Sequence, residues 1–249
     1  NPLTYQKDCK EEELHIFRHI LTGQVLPKDR KNMKRYRPVI FISFYMIILI
    51  IIAAQLWGAN GFLHPAIENI NLYVRGLRNT HAPLFHQSYD NYLQLLPGIL
   101  LIGLKLGGVK GRFEWKRLLI FIVLSIIFTQ LVVNSLKLAC GVLRPDESNF
   151  FSFPSGHTAT AFMTATLLYK EYGFKRIWVS LVAYASAIVT GMTRILNNRH
   201  WIIDVIVGAA LGILLTEMAY RLVKQYLKTE NSLTQTIITD VLIIEITQQ

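Results

Sequence analysis

Fourteen consecutive residues, Phe41 to Ala54, pass without a charge, and comparable apolar runs recur along the rest of the chain. A helix that is apolar on every side has no polar stripe to turn toward water, so it is buried in lipid or in a large protein core. The chain is 52% hydrophobic and only 17% charged, whereas soluble domains sit near about a quarter charged. The runs therefore read as membrane spans, and the soluble helical core is set aside. Candidates are residues 38–57, 92–108, 118–136, 157–172, 177–193 and 201–219, each judged against the roughly 20 apolar residues that cross a bilayer. The second carries Pro97, Gly98 and Lys105, and the fourth is short and Thr-rich, as a helix buried inside the bundle would be. The expected fold is all-α, a polytopic membrane helix bundle with about six transmembrane helices.

Basic residues orient the spans. Lys28, Arg30, Lys31, Lys34, Arg35 and Arg37 precede the first, and Lys105, Lys110, Arg112, Lys116 and Arg117 separate the second and third. Lys170, Lys175 and Arg176 separate the fourth and fifth, and Arg221, Lys224 and Lys228 follow the sixth. These regions alternate onto one face, which the positive-inside rule makes cytoplasmic, with both termini on that side. The net charge of +10 is then a topology signal with some attraction to anionic lipid headgroups, and no nucleic-acid partner is needed. Cys9 and Cys140 fall on opposite faces and cannot pair, and their spacing is not that of a zinc site.

Three regions are expected: a cytoplasmic segment 1–37, a six-span domain 38–228 and a tail 229–249. The polar first region resembles no cleavable signal peptide and has a short amphipathic helix around Glu11 to Ile20. The outer connection 58–91 contains Ile67, Ile70, Leu72, Tyr73 and Leu77, a pattern for a helix lying in the interface, either at a substrate entrance or as plain packing. The tail alternates apolar and polar residues around Ile237 to Ile246, which reads as a strand or as disorder.

Three polar clusters stand out at the edges of the apolar runs: Lys137 with Arg144-Pro145, then Pro154-Ser155-Gly156-His157, then Arg194 with His200 and Asp204. Charged and ionisable groups are costly in so apolar a chain and mark function there. The topology, set from basic residues alone, brings all three clusters to the outer ends of spans three to six. Lys137 and Arg144 would share a face on a continuing helix, while Gly141 and Pro145 let that helix end. Arginine forks onto phosphate oxygens and lysine adds a compact charge. Gly156 permits close backbone approach, the N–H groups opening span four point at an anion, and Ser155 offers a hydroxyl to the same oxygens. His200 and Asp204 lie four apart on one face, so the carboxylate fixes the imidazole tautomer and leaves the other nitrogen to attack phosphorus. His157 would protonate the departing alkoxide and later activate water.

Each part also has a bland role. His157 caps a helix, Lys137 snorkels, Arg194 caps a C-terminus, and His200 with Asp204 is a structural pair or half of a metal site. Only their convergence on one face disfavours those readings together. Asn197, Asn198 and Arg199 read as a turn, Trp201 as an interfacial anchor, and Gly208 and Gly212 as points of close helix approach.

The series Lys137-x6-Arg144-Pro145, Pro154-Ser155-Gly156-His157 and Thr193-Arg194-x5-His200-x3-Asp204 resembles the signature of the type 2 phosphatidic acid phosphatase superfamily. It departs in having Thr193 where serine is usual, and in the short connection from Asp146 to Phe153. The wording around the motifs is similar to bacterial members of the Bacteroidetes type. The resemblance implies His200 as a nucleophile forming a phosphohistidine, Asp204 as its partner and His157 as acid/base. Lys137, Arg144, Ser155, Gly156 and Arg194 would hold the phosphate, with no metal and no other cofactor. The implied activity is release of phosphate from a membrane lipid at the periplasmic face of a bacterial inner membrane, with no obligate protein partner. Lipid A phosphate or undecaprenyl diphosphate is favoured as substrate. Phosphatidylglycerophosphate, phosphatidic acid, a lipid phosphotransferase and a non-catalytic lipid binder or transporter are the alternatives.

Overall fold

The computed structural model describes residues 64–173 and 176–247, and among them all regular structure is helical. The candidate span 38–57 and the amphipathic stretch near Glu11 lie outside these residues. The elements are α1 (His64–His81), α2 (Asp90–Leu93), α3 (Leu96–Leu106), α4 (Trp115–Cys140), α5 (Gly156–Leu168) with a π-helical turn at Tyr169–Gly173, α6 (Ile177–Leu196) and α7 (Ile202–Thr247).

Among the described residues, three helices are long and apolar enough to cross a membrane: α4, α6 and the Ile202–Tyr226 part of α7. At 26 residues, α4 is about 39 Å long, more than the roughly 30 Å hydrocarbon layer. The second and fourth predicted spans appear as the shorter helices α3, with 11 residues, and α5, with 13. As expected of a Thr-rich segment, α5 is the buried centre: most of its side chains are enclosed, and α3, α4, α6 and α7 pack around it.

Small residues set how tightly that centre closes. A Cβ on Gly208 would lie 2.6 Å from the Ser155 carbonyl oxygen, and one on Gly212 would run into the Ala159 carbonyl. Glycine at both positions lets α7 lie backbone to backbone on α5, as the sequence implies. Gly141 ends α4 in the left-handed region at φ 54°, where only glycine is free of strain. Arg144 consequently comes from the following loop and shares no helical face with Lys137.

One expectation is corrected. The tail does not form a strand or lose its order: α7 continues through it to Thr247. No glycine or proline interrupts residues 213–247, and Ile237, Val241 and Ile244 fit helical spacing as well as they fit alternation. The interface helix is present as α1, but the face it buries is Ile67 and Asn71, while Ile70, Leu72, Tyr73 and Leu77 stay exposed. Ile70, Tyr73 and Leu77 share a face that turns away from the protein, as it would for a helix resting in the lipid interface.

Candidate active site

The C-terminal ends of α4 and α6 and the N-terminal ends of α5 and α7 meet at one end of the bundle, together with α2. Asp204, in the first turn of α7, is fully buried. Its Oδ2 accepts the Ser152 hydroxyl at 2.5 Å and the Trp201 N–H at 2.9 Å, and lies 3.5 Å from His200 Nδ1. Its backbone carbonyl accepts the Ser155 N–H at 3.0 Å, so one residue joins the second and third clusters. His200 is 3% exposed. Its Nδ1 and Asp204 Oδ1 are both buried without a hydrogen-bond partner; the two side chains are close but make no hydrogen bond.

His200 is held neutral. Burial lowers its pKa well below the usual 6.5, and Lys137, Arg194, Arg144 and His157 add repulsion to the charged form in that order. An imidazole without its second proton keeps the lone pair a nucleophile needs.

The three cations have different holds. Arg194 is buried and its Nη1 donates to Asp90 Oδ2 at 2.6 Å, leaving Nε unpartnered. Arg144 keeps a buried, unpartnered Nε, and its backbone N–H bonds Asn149 at 3.0 Å. Lys137 Nζ donates to the Phe151 carbonyl at 2.7 Å. Buried donors without acceptors are costly, and an oxyanion lodged here would supply acceptors to both guanidinium groups. Gly156 opens α5, whose first N–H groups face the same end.

The structure thus brings His200, Asp204, His157, Lys137, Arg144, Gly156 and Arg194 to one place. Ser155 is there too, but its fully buried hydroxyl serves as the N-cap, paired with Thr158 Oγ1 at 2.9 Å and accepting the Thr158 N–H at 3.5 Å. Thr193 spends its hydroxyl on the Val189 carbonyl at 2.8 Å and lies 3.2 Å from the Tyr89 hydroxyl.

Sequence reasoning missed four supports. Asp90 pairs with Arg194, Asn91 Oδ1 lies 2.8 Å from His157 Nε2, and Ser152 holds Asp204. Arg199 is more than a turn residue: its Nη1 donates to Asp146 Oδ2 at 2.8 Å. Burial alone would raise Asp146, but the hydrogen bonds from Arg199 and Ser148 outweigh it and hold the carboxyl below its ordinary value. That pair ties the short Asp146–Phe153 loop to the turn before α7. Trp201 likewise donates Nε1–H to the Leu143 carbonyl at 2.8 Å and has Arg75 over its ring at 5.6 Å. It is therefore a strut of the site in addition to any role as an anchor. Asp90 and Asn91 gave no signal because the 58–91 connection has no spacing motif. Beside the site, a cavity of about 340 Å³ is walled by Ile67, Leu72, Val142, Leu143 and Trp201.

Comparison with known proteins fits this arrangement. The PAP2 superfamily model matches residues 118–228, which include all eight predicted site residues. A phosphatidylglycerophosphatase B of Bacillus subtilis is 30% identical over 195 residues, covering 72% of this chain and 91% of that protein. The chain belongs to the PAP2 superfamily. A lipid A 1-phosphatase of Porphyromonas gingivalis is 44% identical over 153 residues, 61% of this chain, but the chain spans only 34% of that protein's length. Among solved structures, a transmembrane PAP2 type phosphatidylglycerolphosphate phosphatase from Bacillus subtilis is 23% identical, with a TM-score of 0.50, covering 76% of this chain and 97% of that one. That likeness gives the fold, and the apolar helices α4, α6 and Ile202–Tyr226 of α7 make the protein an integral membrane member of the superfamily. The matched segment excludes Asp90 and Asn91.

Proposed function

We propose that the protein is a metal-independent phosphatase that removes phosphate from a membrane lipid at the periplasmic face through a phosphohistidine. The observation that carries this reading is the buried His200 set against Asp204 and surrounded by Lys137, Arg144 and Arg194. With Nδ1 on the Asp204 side, Nε2 attacks phosphorus. The P–Nε2 bond forms as the bond to the lipid oxygen breaks, and His157 gives its proton to that oxygen. The three cations and the α5 N-terminus stabilise the charge on the remaining phosphoryl oxygens. Asp204 balances the positive ring of the intermediate. Water then attacks phosphorus as His157 takes its proton, the P–Nε2 bond breaks, and inorganic phosphate leaves.

The orientation rests on charge. Lys105, Lys110, Arg112, Lys116, Arg117, Lys170 and Arg221 lie at the end of the bundle opposite His200, which supports a site on the periplasmic face.

Lipid A phosphate is the favoured substrate, ahead of undecaprenyl diphosphate, because of the identity to the Porphyromonas gingivalis lipid A 1-phosphatase. Phosphatidylglycerophosphate is the second reading, favoured by the much fuller coverage of the Bacillus subtilis relative. The test is phosphate release by purified protein from lipid A, undecaprenyl diphosphate and phosphatidylglycerophosphate, with His200→Ala as control. Lipid A should be turned over fastest. Equal release by wild type and the His200 variant, or transfer to another hydroxyl without free phosphate, would defeat the reading.

A further inference from the structure

Three successive residues from outside the matched family segment reach the site. Tyr89, Asp90 and Asn91 meet Thr193, Arg194 and His157 respectively. The first two of these contacts stabilise α6, whereas the third touches a ring whose protons the reaction moves.

We propose that Asn91 is a positioning residue for His157: its side-chain oxygen accepts the Nε2–H and leaves Nδ1 as the nitrogen that exchanges a proton with the ester oxygen. This deepens the functional reading above and rests on it. The geometry is a 2.8 Å contact between Asn91 Oδ1 and Nε2. An acid/base histidine passes through a doubly protonated form in which both nitrogens are donors. Only the amide oxygen of Asn91 suits Nε2 in both states, because the amide nitrogen would oppose the Nε2–H of the cation. The ring is therefore held in one orientation through the whole cycle, with its mobile proton confined to Nδ1.

The two histidines then have partners matched to different tasks. His200 must stay cationic while it carries phosphate, and its partner is the carboxylate of Asp204. His157 must surrender its proton, and its partner is a neutral amide that orients it without holding the charge. The charged and titratable groups around His157 are Arg194 on α6, Asp90 on α2, Arg144 in the loop, Lys137 on α4 and His200 before α7, with Asp204 behind His200. Replacing the amide by a carboxylate would add an acceptor that does hold the proton.

The test measures kcat and KM across pH for wild type, Asn91→Leu, Asn91→Asp and His157→Ala. The substrate is whichever of lipid A, undecaprenyl diphosphate and phosphatidylglycerophosphate the wild type turns over fastest. Asn91→Leu should lower kcat about a hundredfold, the scale of a misplaced catalytic group, with KM within about threefold. Asn91→Asp preserves shape and acceptor, so it should recover most of kcat and move the alkaline limb to higher pH. Thermal melting of each variant separates loss of folding from loss of positioning. Two results would overturn the proposal alone, with His157→Ala inactive: Asn91→Leu keeping the wild-type rate and pH profile, or Asn91→Asp neither recovering rate nor shifting the limb. An active His157→Ala would instead remove the acid/base reading on which the proposal stands.

Discussion

The two ends of the bundle each bury a carboxylate, and they treat it in opposite ways. At the end away from the site, Glu171 is fully buried in the π-helical turn after α5. Lys105 Nζ reaches its Oε1 at 2.9 Å, and the Phe113 N–H lies 3.1 Å from Oε2. Phe113, Phe121 and Tyr220 close over this end with ring centroids 5.8 Å apart. At the other end, Asp204 and Asp90 each leave one oxygen unpartnered, as Arg144 and Arg194 leave their Nε and His200 its Nδ1. Five of the eight buried orphan polar atoms among the described residues fall on these side chains. A satisfied buried ion pair fixes structure. The two guanidinium Nε donors left unsatisfied there, on Arg144 and Arg194, hold hydrogen-bonding capacity for an acceptor that is not part of the chain, here an oxyanion.

The sharpest way to break that comparison is to remove one member from each end. His200→Ala should reduce phosphate release at least about a thousandfold, since the nucleophile itself is gone, while leaving the melting temperature near that of wild type. Glu171→Ala should do the reverse. It strands the Lys105 charge and the Phe113 N–H, a change of about 3 kcal/mol in stability, while kcat of the folded fraction stays within about twofold. Detergent-solubilised melting curves and single-substrate kinetics measure both. A His200 variant that melts early but still turns over, or a Glu171 variant that is stable but inactive, would reverse the assignment of the two ends.

A smaller effect sharpens the difference within the site. Arg144→Lys keeps the positive charge but replaces a planar fork by a point charge, and its unpartnered Nε is the donor being lost. About a tenfold to hundredfold fall in kcat/KM is expected, together with weaker vanadate inhibition. No change in either would mean that Arg144 acts only through its charge.

How far the sequence carried the reading divides along the same line. The long apolar helices α4, α6 and the first part of α7 follow from hydropathy, because lipid imposes it directly on composition. The close approach at Gly208 and Gly212 was legible for a similar reason: small residues on a helix face leave few other uses. Asp90 and Asn91 were not legible. They reach Arg194 and His157 across the bundle, a tertiary relation with no local period. Ser152 and Arg199 sit beside recognised motifs, yet their partners are Asp204 and Asp146, on other segments. Ser155 was read as a donor to the substrate, whereas the local geometry of a helix start claims its hydroxyl first. The helical tail was misread because a short apolar alternation fits both periods and only the lack of helix breakers favours one.

The smallest effect concerns where activity fails on the acid side. His200 is depressed well below 6.5 by burial and then by Lys137, Arg194 and Arg144. A depressed value means that the neutral, nucleophilic ring persists as pH falls, and that rate is lost only as pH drops through the lowered value. The acid limb of kcat/KM, which reports the free enzyme, should therefore lie well below the ordinary histidine range. Lys137→Met removes the largest of the repulsive charges and should move that limb upward, with Arg144→Gln moving it less. Comparing variants cancels the ionisation of the substrate phosphate, which is common to all of them. An acid limb that stays in place when Lys137 loses its charge would mean that the cations do not govern the His200 proton, and that the neutral nucleophile owes its state to burial alone.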